Sequence, residues 1–455
     1  MKDNLDILLG YYGDDFTGSA DVMEVLSLMG IPTVLFLNAP DQNEIDRFVF
    51  KNRAFPDFKV QAFGVAGIAR SLAPLEMKEE LEPIFQNMRK IPFRYFHYKI
   101  CSTLDSSPEI GNIGVAMDVA EKYFPSLFIP LLIGFPTLNR FVVFGNLFAR
   151  IRDTVYRLDR HPVMSNHPVT PMQESDVRRH LQRQMDREMA LVDVIQLEKL
   201  DAIPLNQLIF NENSEDKVPL LLFDTLKNDH LIPIGKWIEK NSLSSHQLLL
   251  GSSAVEYALG HVYGAAKDLK IESISVTPIL VVSGSCAQTT ADQILHVEKL
   301  GFTCIRIAVD NLFSIEFSKQ EMERVTDAAL SSLKSGHHTV IYSALGPDDP
   351  MVKTTLKQQH AQPQWIAHCQ AEITGRLLEA FPLKRLVTAG GDTSGYILKK
   401  LKISALEFSN ILAPGAPLCQ AHAENPAVDG MEIAIKGGQN GTVRYFEFAQ
   451  KGGVN

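Results

Sequence analysis

Two adjacent carboxylates close an apolar run near the start of the chain. The stretch ILLGYYGDDFTGSADV, residues 7–22, reads as a buried strand that turns into a helix through Asp14, Asp15 and Thr17. In α/β sheets such a turn lies at the carboxyl end of a strand, where ligands bind. Carboxylates there can accept hydrogen bonds from polyol hydroxyls, take up a proton or hold a magnesium ion. Asp15 or Thr17 alone could simply cap the following helix. A second adjacent acid beside two glycines exceeds what a cap requires.

A second group follows in FRYFHYKICSTLDSSPEIGNIG, residues 93–114, where an aromatic strand delivers Lys99, Ser102, Thr103, Asp105, Ser106 and Ser107 into a turn. Many small donors around one lysine suit an anionic, hydroxyl-rich ligand. Ser107 and Pro108 read more plainly as the N-cap and first turn of a helix.

The second half carries three glycine or serine turns, each after a strand-like run. RLVTAGGDTSGYIL (385–398) places Gly390, Gly391, Asp392 and Thr393 at the opening of a helix. VVSGSCAQTTADQI (281–294) offers Ser283 and Ser285, and IAIKGGQNG (433–441) offers Lys436, Gly437 and Gly438. Glycines let a backbone approach a phosphate, and a helix N-terminus adds free N–H donors and a positive dipole end. Three such turns on one domain read as a nucleotide cradle. The sequence contains no GxxxxGK[ST], no protein-kinase HRD or DFG and no GxGxxG, so the phosphate site is of a less common type.

These turns need strands and helices to hold them. Short apolar runs alternate with amphipathic stretches through the first half, and the rhythm resumes after residue 277, which predicts βαβ units. The expected fold is α/β with two domains, each a mostly parallel sheet flanked by helices: residues 1–275 bind the substrate and 276–455 the nucleotide. Residues 150–187 are rich in arginine. There a proline-broken loop is expected to hand over to a helix capped by Thr170, with Pro171 in its first turn. Arg178 or His167 could serve an anion, although a solvated basic face explains them more simply.

Composition narrows the class. The 455 residues are 45% hydrophobic and carry a formal charge of −9, which argues against a general nucleic-acid binder. Five scattered cysteines, never spaced CxxC, indicate neither a disulfide framework nor a zinc site. The N-terminus lacks a signal-peptide pattern and no run is long enough to span a membrane, so a cytoplasmic protein is expected.

The segments GDDFTGSAD, YKICSTLDSSPEIGNIG, NHPVTPMQESD, VVSGSC, TAGGDTSG, LAPGAP and KGGQNG, in that order, resemble the four-carbon acid sugar kinase family over roughly residues 5–445. The resemblance implies ATP-dependent phosphorylation of a small sugar acid or its 3-oxo derivative, with Mg2+ as the accompanying ion and no metal ligands assigned. It implies that Asp14, Asp15, Thr17 and Lys99 lie on the substrate side, with Ser102, Thr103 and Asp105 beside them. Ser283 or Ser285, Gly390, Gly391, Asp392, Thr393 and Gly437 or Gly438 would hold ATP. Where the family usually reads Asp-Ser-Thr-Leu-Arg, this chain reads Cys101-Ser102-Thr103-Leu104-Asp105. An acid thus replaces a bidentate anion clamp. That form resembles the branch accompanying RuBisCO-like proteins and implies 3-oxo-isoapionate as the favoured substrate, with 3-oxo-tetronate, threonate or erythronate as alternatives.

Asp14 or Asp15 is then expected to orient or deprotonate the attacking hydroxyl, and Lys99 to bind the substrate's anionic group. The expected partners are the sugar acid and ATP, with a homodimer as a further option and no nucleic acid or membrane. Two rival readings are a non-catalytic sugar-acid sensor and a nicotinamide-dependent oxidoreductase, the latter disfavoured by the missing GxGxxG.

Overall fold

The computed structural model describes residues 6–51, 55, 58–151, 153–167, 169–208, 217–243, 245–264, 271–314, 316–350 and 363–454. The chain forms two compact units. One comprises Met1–Val49 with Phe58–Leu269, the other Phe50–Asp57 with Lys270–Asn455.

In the first unit, strands β1 (Ile7–Gly13), β2 (Thr33–Phe36), β3 (Ala62–Ala66), β4 (Phe93–Lys99) and β5 (Ile129–Leu132) are followed by β6 (Arg140–Val143), β7 (Asn146–Ile151) and β8 (Thr154–Arg157). Three more, β9 (Met189–Val192), β10 (Leu220–Phe223) and β11 (Gln247–Gly251), complete it. The main sheet runs β2-β3-β1-β4-β11-β5-β10-β9, and its pairings are parallel. β6, β7 and β8 form a separate antiparallel sheet.

The parallel strands are apolar on both faces because helices cover both. β1 and β4 bury nearly every side chain. Between sheet and helix Pro74–Met88, Tyr12 stacks on Tyr98 at 5.8 Å and meets Phe85 edge-on at 5.7 Å. Each such fully buried aromatic or aliphatic side chain contributes about 1.5–3 kcal/mol.

Register then fixes the site. Gly13 pairs with Ala66 of β3 on one side and Lys99 of β4 on the other. The turns after all three strands therefore leave the sheet side by side.

The second unit contains β12 (Leu280–Ser283), β13 (Thr303–Arg306), β14 (Thr339–Tyr342), β15 (Arg385–Ala389), β16 (Ile403–Asn410), β17 (Leu418–Ala423) and β18 (Glu432–Lys436). Its order is β13-β14-β12-β15-β18-β17-β16, parallel from β13 to β18 and antiparallel at β17. Val281, Val340, Val387 and Ala434 carry one core under Tyr445 and Phe446. Both sheets are thus mostly parallel and flanked by helices, as the apolar rhythm predicts.

Two local expectations differ. The helix of the arginine-rich segment begins at Val177, capped by Asp176, and not at Thr170. Asn146 bridges Asp176 and Leu147 N–H donates to the Ser175 carbonyl, so the segment before it is extended against β7. Tertiary pairing overrides the local cap signal. Likewise Ser107 closes a turn by accepting from the N–H groups of Glu109 and Ile110, and the helix starts at Ile113 with Asn112 as cap.

Candidate active site

At the end of β1, Asp14 and Asp15 meet a cation that sequence reasoning missed. Arg70, in the short 3-10 turn Ala69–Ser71 after β3, donates from Nη2 and Nε to the two carboxylate oxygens of Asp14 at 2.6 and 3.2 Å. Its Nη2 also lies 2.8 Å from Asp15 Oδ1. Arg70 follows the apolar run AFGVAG in no recognisable motif, and only strand adjacency brings it to the two acids.

The two aspartates then diverge. Asp15 is the N-cap of helix Phe16–Leu28: its side chain accepts from Gly18 N–H at 2.9 Å and from the Thr17 hydroxyl at 2.7 Å. Burial pushes its carboxyl up, but Arg70, Lys99 and these two donors together hold it below the usual range. For Asp14, burial dominates and the neighbouring Asp15 adds to it, so its carboxyl is raised despite Arg70. Asp14 is the more basic of the pair.

Lys99 is buried at the end of β4, its Nζ 4.0 Å from Asp21 Oδ2, and Asp21 also accepts from the Ser253 hydroxyl. Gly18 permits this crowding: a Cβ there would lie 2.5 Å from Asp15 Oδ1 and 2.9 Å from Lys99 Nζ.

The next turn is bent at Leu104, a buried residue with φ of 53°, a conformation L-residues avoid. It is held by Leu104 N–H donating to the Cys101 carbonyl at 3.0 Å. The bend sets Thr103 between Cys101 Sγ and Asp105 Oδ1, each 2.9 Å from its hydroxyl. Burial, aided by the Asp105 charge, pushes the Cys101 thiol up to about 11, so it stays neutral. Ser102 is half-buried, and its hydroxyl makes no hydrogen bond among the described residues. Behind the turn, Ser106 contacts His180 Nε2 at 3.0 Å and Gln184 Nε2 at 2.9 Å. Arg178 is bound to Asp176, and His167 accepts from Thr170 N–H, so both serve local structure.

In the second unit, Ser283, Ala389 and Lys436 stand in register at the ends of β12, β15 and β18. The three small-residue turns are therefore neighbours. Gly284 N–H donates to the Ala389 carbonyl and Gly390 N–H to the Lys436 carbonyl, each at 3.0 Å. Gly390 caps helix Gly391–Lys400 with φ of 117°, which only glycine adopts without strain. Space around Gly391 is open, and Asp392 lies in the first helical turn. Thr393 Oγ1 donates to Gln370, whose amide donates to the Ser283 carbonyl. Ser283 Oγ is buried without a partner among the described residues, and Ser285 Oγ accepts from Ala287 N–H. The Gly438 carbonyl accepts from Thr290 Oγ1 at 2.8 Å and from Lys436 Nζ at 3.4 Å.

Lys436 itself, quoted in the sequence motif but given no role there, is fully buried. Its Nζ donates to Thr290 Oγ1 at 2.8 Å, with no carboxylate in ion-pair range among the described residues. Burial lowers its ammonium to about 7. No cluster of three or more His, Cys, Asp or Glu among the described residues is arranged to hold a metal ion by itself.

Residues 9–259 match the family model of a sugar-binding N-terminal domain, and residues 280–446 that of a nucleotide-binding C-terminal domain. The chain is 37% identical to the 3-oxo-isoapionate kinase of Paraburkholderia graminis, over 98% of this chain and 94% of that one. It is 28% identical to the 3-oxo-tetronate kinase of Cupriavidus necator, over 97% and 96%. Among solved structures, a protein of Salmonella typhimurium LT2 superposes with a TM-score of 0.75 at 22% identity, covering 97% of this chain and 98% of that one. A Haemophilus influenzae protein gives 0.66 at 22%, covering 97% and 99%; these two likenesses concern the fold alone. By both domain models and a full-length relative, the chain belongs to the four-carbon acid sugar kinase family.

Proposed function

We propose that this protein transfers the γ-phosphoryl group of ATP to a hydroxyl of 3-oxo-isoapionate. The observation that carries the substrate assignment is the 37% identity to a 3-oxo-isoapionate kinase along nearly the whole chain. The acid group on β1 and the turn after β4 support the reaction class.

In the reaction the acceptor oxygen bonds to phosphorus, the bond from phosphorus to the β-γ bridging oxygen breaks, and ADP leaves. The hydroxyl proton goes to Asp14. Asp14 is chosen over Asp15 because their surroundings push the two carboxyls apart, leaving Asp14 the better base and Asp15 committed to the helix cap and Arg70. Arg70 keeps the adjacent acids from repelling one another and fixes the Asp14 plane through two charge-assisted bonds. Lys99 neutralises anionic charge on the acceptor, and Ser102, Thr103 and Asp105 receive hydroxyls.

On the nucleotide side, the N–H groups opening helix Gly391–Lys400 and the turns at Ser285 and Gly437–Gly438 hold phosphate oxygens. Asp392, in the first turn of that helix, is the side chain that would hold a magnesium ion beside the phosphates, and the ion would supply charge neutralisation there.

The test is ATP consumption by the full chain across a panel of sugar acids: 3-oxo-isoapionate, 3-oxo-tetronate, threonate and erythronate. The highest kcat/KM is expected for 3-oxo-isoapionate. A higher value for 3-oxo-tetronate would transfer the assignment to that acid. ATP-independent binding without turnover would return the sensor reading.

A further inference from the structure

The guanidinium of Arg140 is a feature of the first unit that the chemistry above leaves unused. Arg140 opens β6, which leaves the carboxyl end of β5, the same end of the sheet that carries Asp14 and Lys99. Asp105 and Cys101 lie within electrostatic range of it. Its Nη1 donates to the carbonyls of Leu138 and Asn139 at 3.0 and 3.2 Å, which fixes the plane of the group. Its Nε is buried and finds no acceptor. No carboxylate stands within ion-pair distance among the described residues.

Such an arrangement is costly unless something completes it. A buried charged donor without a partner loses roughly 1–3 kcal/mol of hydration. With Nη1 tied back to the loop, the edge formed by Nε and Nη2 remains, the edge that takes a carboxylate side-on through two parallel bonds. Arg70 is already committed, its Nε and Nη2 being engaged by Asp14 and Asp15.

We infer that Arg140 is the anchor for the carboxylate of the sugar acid, received on its Nε–Nη2 edge beside the Cys101–Asp105 turn. Arg140 binds and orients the acid and takes no part in proton transfer. Lys99 is then left to meet the oxygens nearer the reacting hydroxyl. This assignment rests on the sugar-acid reading above, and binding can test it without turnover.

The experiment is calorimetric titration of the full chain with threonate and with 3-oxo-isoapionate, in the absence of nucleotide, and with the polyol analogue in which a CH2OH group replaces the carboxylate. Arg140→Gln is expected to weaken binding of the acids by about 30-fold while leaving the polyol within about twofold. Arg140→Lys, which keeps the charge and loses the fork, is expected to fall between the two. Unchanged ATP affinity in both variants reports an intact fold. Equal loss for acid and polyol, or acid binding unaffected by Arg140→Gln, overturns the inference. Acid binding that depends on Arg140 in a chain that consumes no ATP would uphold the anchor and remove the kinase assignment.

Discussion

Asp14 and Asp15 are neighbours in the chain but unequal in environment, and that inequality can be measured. Asp14→Asn is expected to lower kcat by about 10²–10⁴-fold, the range of a lost general base, with little change in KM for ATP. Asp15→Asn keeps the helix cap and gives up one charged contact to Arg70, so a loss of about tenfold is expected. Steady-state kinetics of the two variants separates the roles, and equal losses would show that the acids act as a unit. The raised carboxyl of Asp14 sets the acid limb of the pH profile. Activity should fall as pH drops through a value above the usual carboxylate range, and Asp14→Asn should flatten that limb. Part of this was legible in the sequence: the acids stood in a motif that pointed to chemistry. Arg70, which distinguishes them, was not legible, since an arginine 56 residues later reaches them only because β3 pairs with β1.

At the scale of elements, the loops matter through the strand ends that set them side by side. The turns after β12, β15 and β18 are separated by about a hundred and about fifty residues, yet register makes them adjacent. Gly390 is their hinge point, and any Cβ at φ of 117° is strained. Gly390→Ala is expected to destabilise the fold by at least about 1 kcal/mol and to raise KM for ATP, with KM for the acid unchanged. An effect on the acid alone would place this turn outside the nucleotide site. On the acceptor side, Lys99→Met should raise KM for the acid far more than for ATP. The misread helix start at Thr170 belongs to this scale as well. Its cap and proline signals were sound as local chemistry, but residues before Val177 satisfy their backbone against β7 instead.

Over the whole molecule, buried charge sets how stability responds to pH. The folded state lowers the Lys436 ammonium to about 7, below its value in an unfolded chain. Below that value the lysine is charged in both states and burying it costs the most. As pH rises through 7 towards 10 the folded state sheds the proton first, and this contribution shifts in favour of folding. Lys436→Met should therefore gain most in Tm, relative to the unaltered chain, at about pH 6, with the advantage shrinking by about pH 9.5. A gain independent of pH would mean that the ammonium is solvated or paired. Saturating ATP should narrow the difference in the unaltered chain if the phosphates favour the charged lysine.

The sequence by itself determined the fold class, the presence of an acid-bearing turn in the first half and of glycine turns in the second, and the family. Those features rest on periodicity and on short motifs, which are local along the chain. It also announced an acid at position 105 without saying what receives the substrate's charge. Only the tertiary structure made the two aspartates unequal, because the pKa of a buried carboxyl depends on cations brought from other strands. The same holds for Arg140, which stands in an unremarkable stretch, GFPTLNRFVV. Its chemistry comes from having two carbonyls on one nitrogen and nothing on another, a property of packing that no spacing of residues encodes.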